Sequence, residues 1–121
     1  MADTGTLCTS AQALLAIGAD ANAAQVLEAN TNIWTAYAES DMETEAGDNV
    51  GLVANYASIT AANKQWLAGV CATRTAWYAI MQDPNQWNLS TTQTKLNFCD
   101  TMWSAFIKKI KDKDTIADLG L

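Results

Sequence analysis

Residues 89 to 111 read LSTTQTKLNFCDTMWSAFIKKIK. Leu96, Cys99, Trp103, Phe106, Ile107 and Ile110 recur three and four apart and form one stripe, the period of an amphipathic helix. Asn97, Asp100, Ser104, Lys108 and Lys111 fall off that stripe. Ser90 and Thr91 can cap its start. Lys108, Lys109 and Lys111 gather near its end, where cations complement the negative pole of the helix dipole.

The rest of the chain agrees with a helical reading. It holds 121 residues, enough for one domain spanning 1–121 with a single core. Half of them are apolar, so burial can offset the entropy of ordering. One proline and six glycines are few for the many turns of an all-β fold. Alanine, the best helix former, occurs 22 times. The expected class is all-α, a four-helix bundle-like domain.

A first helix is predicted over residues 9–17, capped by Thr9 or Ser10 and ended by Gly18, with Leu14, Leu15 and Ile17 as its apolar side. A second is predicted over about 21–40, with Asp20 as N-cap. Its stripe is Leu27, Asn30, Ile33 or Trp34, and Tyr37. A third, over about 50–82, follows Tyr56, Ile59, Asn63, Trp66, Val70, Trp77 and Met81, with a gap near Arg74. Pro84 ends it, because the residue before proline avoids helical geometry. At 1.5 Å per residue such a helix reaches roughly 45 Å, long for this chain. Residues 114–121, DTIADLGL, are expected to add one short apolar turn.

Several chemistries are excluded or disfavoured. The chain has no histidine, which removes the commonest general base and any Ser-His-Asp or Cys-His site within one chain. The three cysteines, Cys8, Cys71 and Cys99, are far apart and show no C-x-x-C, so they read as small buried hydrophobes in a reducing compartment rather than as a zinc site or disulfide framework. No glycine-rich phosphate loop, G-x-S-x-G or HExxH occurs. The expected protein is not an enzyme and carries no cofactor or metal. MADTGTLCTS lacks a basic n-region and a long apolar run, so no signal peptide is expected. The longest apolar run, ALLAIGA, is far short of the roughly 20 residues of a membrane span. The expected location is the cytoplasm when made.

Charge is unevenly placed. Residues 1 to 60 carry eight acids and no base, while residues 61 to 121 carry seven bases and five acids. Four of those bases, Lys108, Lys109, Lys111 and Lys113, lie within IKKIKDKD. The acidic half disfavours nucleic acid. Its densest part is residues 38–49, AESDMETEAGDN, with Glu39, Asp41, Glu43, Glu45 and Asp48. A calcium loop starting at Asp41 fails, because Ala46 stands where glycine is required and Leu52 where a bidentate glutamate is required. In a helix, Glu39/Glu43 and Asp41/Glu45 repel at i,i+4 and crowd the negative helix end. The helix is therefore expected either to stop near Ser40 or to gain a cationic partner, leaving an acidic connector or a docking surface.

Trp34, Trp66, Trp77 and Trp103 lie on or beside the apolar stripes and are expected to pack in the core. Trp87 stands in the polar segment DPNQWNLST. It either folds back over the bundle end or anchors a partner.

The functional expectation is contact. A structural or assembly subunit, such as a capsid-decorating or head–tail joining component of a phage virion, suits the polar charge layout and the long third helix. The partner-binding candidates are Glu39, Asp41, Glu43, Glu45, Asp48, Trp87, Lys108, Lys109, Lys111 and Lys113. Its partners would be other copies of itself or neighbouring subunits. An acidic inhibitor or immunity-type protein blocking a basic site is the alternative, and a bundle holding a small apolar ligand among its tryptophans is a second one.

Overall fold

The computed structural model describes residues 5–18, 21–47 and 51–111. Among them there is no strand; five α-helices pack on one another. They are α1 (Ser10–Ile17), α2 (Ala23–Val26), α3 (Glu28–Ala46), α4 (Ala61–Gln82) and α5 (Leu89–Ile110), with short 3-10 turns at Tyr56–Ser58 and Pro84–Gln86. The all-α, bundle-like class read from the sequence is the class observed. The tail 114–121, Asp20, Asp48 and Lys113 lie outside the described residues.

α4 is the centre, with α1, α3 and α5 all packed against it. One cluster joins Leu7, Cys8, Met42, Leu52, Ile59, Leu67, Val70, Cys71, Phe106 and Ile110. A second, around Ile17, Ala76, Ala79, Ile80 and Cys99, fills the other end, flanked by Trp34, Trp77 and Trp87. The small side chains of α4 (Ala68, Ala72, Ala76, Ala79) are all buried and let its neighbours approach closely.

Caps fix the helix starts. The Thr9 hydroxyl accepts the Gln12 N–H while the Gln12 side chain accepts the Thr9 N–H, a reciprocal capping box. Asn22 and Gln25 repeat the motif on α2. Asn88, rather than Ser90 or Thr91, caps α5: its Oδ1 accepts the Thr91 N–H at 2.8 Å. α1 ends at Gly18, whose φ of 94° favours glycine. A β-carbon there would also meet the Lys95 side chain, which donates to the last-turn carbonyl of Ile17 at 2.7 Å.

Three boundaries differ from the sequence reading. The long helix expected over 50–82 begins only at Ala61. Gly51 takes a positive φ, residues 52–55 turn, and this path buries both Leu52 and Ile59. β-Branched Val53, Ile59 and Thr60 favour helix weakly. α4 and α5 are equal at 22 residues, roughly 33 Å each, so the excess length that argued for a neighbouring chain is gone. The expected second helix is broken at Leu27, whose ψ of 124° is extended. α3 then runs on through the acidic stretch to Ala46 instead of stopping near Ser40.

α3 is also turned differently. Its buried face is Thr31, Asn32, Thr35, Ala38 and Met42, while Leu27, Ile33 and Tyr37 face outward. The threonines tolerate burial because their hydroxyls have partners. Thr31 donates to the Glu28 carbonyl at 3.1 Å and shares a hydrogen bond with Ser10. Thr75 donates to Thr35 at 3.3 Å and to the Cys71 carbonyl at 2.8 Å. A β-branched residue bonded back to its own helix presents mainly its methyl group to a neighbour.

Candidate functional site

The acidic stretch is where the candidate residues concentrate, and α3 carries its acids outward in several directions. Glu39 Oε1 accepts the backbone N–H groups of Thr6 and Leu7, at 2.6 and 2.8 Å. Those donors precede α1 and have no helical carbonyl to bond, so the carboxylate tethers the N-terminal segment to α3. Gly5 belongs to the same turn; a β-carbon on it would collide with the Cys8 carbonyl oxygen and the Thr35 methyl. Glu43 Oε1 accepts the Val53 N–H at 2.9 Å and so holds the turn after α3.

Asp41 is the most heavily engaged. Its Oδ2 receives Arg74 Nε at 3.0 Å and the Tyr78 hydroxyl at 2.5 Å. The Arg74 guanidinium lies over Trp103, Trp77 and Tyr78, with ring centroids 4.4, 4.7 and 5.4 Å away. This arginine explains the gap in the third-helix stripe. It replaces an apolar residue with a cation stacked among rings and neutralised by Asp41. Burial, reinforced by the hydrogen bond to Asp41, raises the Tyr78 hydroxyl above its usual pKa.

Glu45 reaches Lys111 at 3.5 Å, a pair of one half-buried and one exposed side chain that joins the acidic and basic segments within one chain. All four described acids of the stretch therefore have partners inside the chain. That is how α3 continues through residues 39–45 despite its repulsive pairs: a guanidinium, an ammonium and three backbone N–H groups oppose the like charges.

The basic end is more open. Lys108 and Lys109 are exposed, and Lys109 Nζ lies 5.7 Å from the Trp66 ring centroid. Trp87 is half-buried against the second cluster, with Lys95 Nζ 5.0 Å from its ring centroid.

Two groupings were not read from the sequence. One is the Arg74 cage just described, whose only signal was the broken stripe. The other joins Cys8 and Cys71, whose sulfurs lie 3.2 Å apart although the residues are 63 positions apart. Nothing in their spacing announces this, because it depends on how the segment before α1 crosses α4.

Two open grooves border α1. One of about 500 Å³ is lined by Leu15, Ala16, Ala68, Gly69 and Ala72. The other, about 180 Å³, is bounded by Leu7, Cys8, Tyr56, Lys64 and Ala68. Neither lies among the tryptophans. No described helix is long and apolar enough to cross a membrane. Comparison with protein-family models, with curated proteins and with solved structures finds no match for this chain. The fold and site thus define an all-helical bundle-like domain whose described acids in residues 39–45 all have donors within the chain.

Proposed function

We propose that this chain is a non-enzymatic contact protein, a structural subunit that works by packing against other protein surfaces, its own copies or neighbouring subunits. The observation that carries the reading is the outward face of α3. Ile33 and Tyr37 are 49% and 52% exposed, and the N-cap residue Leu27 is 55% exposed, while the same helix buries threonines. Met81 of α4, one turn beyond Tyr78, adds a further 49% exposed side chain beside it; Tyr78 itself stacks on Tyr37 with centroids 5.5 Å apart. Helices ordinarily turn their large apolar residues inward, and a face that keeps them outside is the usual mark of an interface.

This shifts the emphasis from charge to apolar contact. The four described acids first considered for docking, Glu39, Asp41, Glu43 and Glu45, are engaged within the chain, which also weakens the case for an inhibitor that blocks a basic site. Lys108 and Lys109 remain as exposed charges that could orient a partner. Among assemblies, a phage virion, with the chain as a capsid-decorating or head–tail joining component, is the setting we propose to test first.

Sedimentation velocity over a concentration series is the direct test. The wild-type chain is expected to associate, and Ile33→Lys with Tyr37→Ser to sediment as monomer with unchanged circular dichroism. In a native complex, hydroxyl-radical labelling of Ile33 and Tyr37 should fall relative to the free chain. A monomeric wild type whose labelling at both positions is unchanged in the complex overturns the reading.

A further inference from the structure

Cys8 sits in the segment that leads into α1, and Cys71 lies in the middle of α4. Both are buried, 2% and 0% exposed, and their sulfurs are 3.2 Å apart. A disulfide bond is about 2.05 Å long, so the two atoms need to approach by roughly an ångström to bond. The surroundings are not equivalent. The groove of about 180 Å³ beside Leu7, Tyr56 and Lys64 reaches Cys8, and Cys71 is not among its walls. A water molecule takes about 30 Å³ of liquid volume, so a molecule of a few heavy atoms fits there. Cys99 is elsewhere, in the second cluster with Ile17 and Ile80.

We propose that Cys8 and Cys71 form an oxidation site: a small hydroperoxide entering the groove oxidises the Cys8 sulfur, and Cys71 resolves it to an intrachain disulfide. In the first step the Cys8 thiolate attacks one peroxide oxygen, the O–O bond breaks, and Cys8 becomes a sulfenic acid. The departing hydroxide takes up the proton that the thiol released and leaves as water. In the second step the Cys71 sulfur attacks the sulfenic sulfur and the S–S bond forms as the S–O bond breaks. The departing hydroxide takes the Cys71 proton as a second water. Two thiols lose two electrons and hydrogen peroxide gains them.

The electrostatics agree with that order. The hydrogen bond between the two sulfurs holds the Cys8 thiol below its ordinary pKa, with Thr75 and Thr35 assisting, against the opposing effects of burial and the Glu39 charge. The same bond, together with burial, pushes Cys71 well above the ordinary range. The lower-pKa thiol, in the residue that borders the groove, is the attacking one.

The sequence provides a clean readout, because its first basic residues are Lys64 and Arg74. Trypsin leaves Cys8 in peptide 1–64, Cys71 in 65–74 and Cys99 in 96–108. The folded full chain is treated with hydrogen peroxide, quenched, alkylated in denaturant with N-ethylmaleimide and digested without reductant. The expected result is one alkylated thiol per chain, on peptide 96–108, with peptides 1–64 and 65–74 covalently linked. Three alkylated thiols at a dose that oxidises free glutathione, or a link that includes Cys99, overturns the proposal. In Cys71→Ser the sulfenic acid has no resolving partner, and dimedone should label peptide 1–64. In Cys8→Ser peptide 65–74 should stay unlabelled; preferential labelling there instead overturns the assignment of roles.

Discussion

The Asp41 carboxylate accepts the Arg74 guanidinium at 3.0 Å, and this pair fastens the acidic helix α3 to the central helix α4. It is partly shielded, with side chains 31% and 18% exposed, and the Tyr78 hydroxyl bonds the same carboxylate oxygen. Asp41→Ala is therefore expected to destabilise the domain by about 1–2 kcal/mol, the lower part of the range for charged hydrogen bonds once solvent screening is allowed for. Urea unfolding measures it. A double-mutant cycle with Arg74→Met should show coupling, whereas additive effects would mean that the two side chains do not stabilise each other.

Glu39 and Glu45 provide an internal contrast. Glu39→Ala leaves the Thr6 and Leu7 N–H groups without their acceptor in a partly buried site, an expected loss of about 1–2 kcal/mol. Amide exchange at Thr6 and Leu7 should quicken in that variant. Glu45→Ala removes only a contact to Lys111, which is 62% exposed, and is expected to change stability by less than about 0.5 kcal/mol. Equal effects at the two positions would show that the acids act only through net charge.

The helical class and the caps of α1 were legible because they rest on local chemistry, whereas Asn22 and Asn88, which cap α2 and α5, were passed over for neighbouring residues. Thr9, Gly18 and the α5 stripe that includes Cys99, Phe106 and Ile110 each state their role within a turn or two of sequence. The face of α3 was not legible. Leu27, Ile33 and Tyr37 have the better apolar period, yet Thr31, Thr35, Ala38 and Met42 are buried. Reading that choice needs the partner hydroxyls of Ser10 and Thr75, which come from other helices. The start of α4 was misplaced for a similar reason, since Leu52 and Ile59 reach the core by a turn that helical periodicity cannot distinguish from another coil. Acid partners were illegible for the most part because three of the donors are backbone N–H groups, which every sequence contains.

The orientation of α3 is itself open to measurement. Ile33→Lys places a charge on the exposed face and should change stability by no more than about 0.5 kcal/mol. Thr31→Lys puts it where the side chain is fully buried, and an unpaired buried charge at that position is expected to prevent folding. Circular dichroism with urea titration distinguishes the two. A folded Thr31→Lys beside an unfolded Ile33→Lys would reverse the assigned faces.

Closing the Cys8–Cys71 bond should also stabilise the domain. The residues are 63 positions apart, and loss of chain entropy over a loop of that size corresponds to roughly 4 kcal/mol if the native packing is undisturbed. For a domain of this size that is a rise in Tm of roughly 15 °C. Cys99→Ser is the right background, since it removes the third thiol. In the native chain burial, with the Asp100 charge adding to it, pushes that thiol up to about 11 and keeps it protonated near neutrality. Scanning calorimetry of the peroxide-treated and the fully reduced variant gives the difference directly. Amide exchange at Thr6 and Leu7 should slow in the oxidised form, because Glu39 on one side and the new bond on the other then hold the same segment. A lower Tm after oxidation would show that moving the two sulfurs into bonding distance strains the junction between α1 and α4 more than the crosslink restrains the unfolded chain.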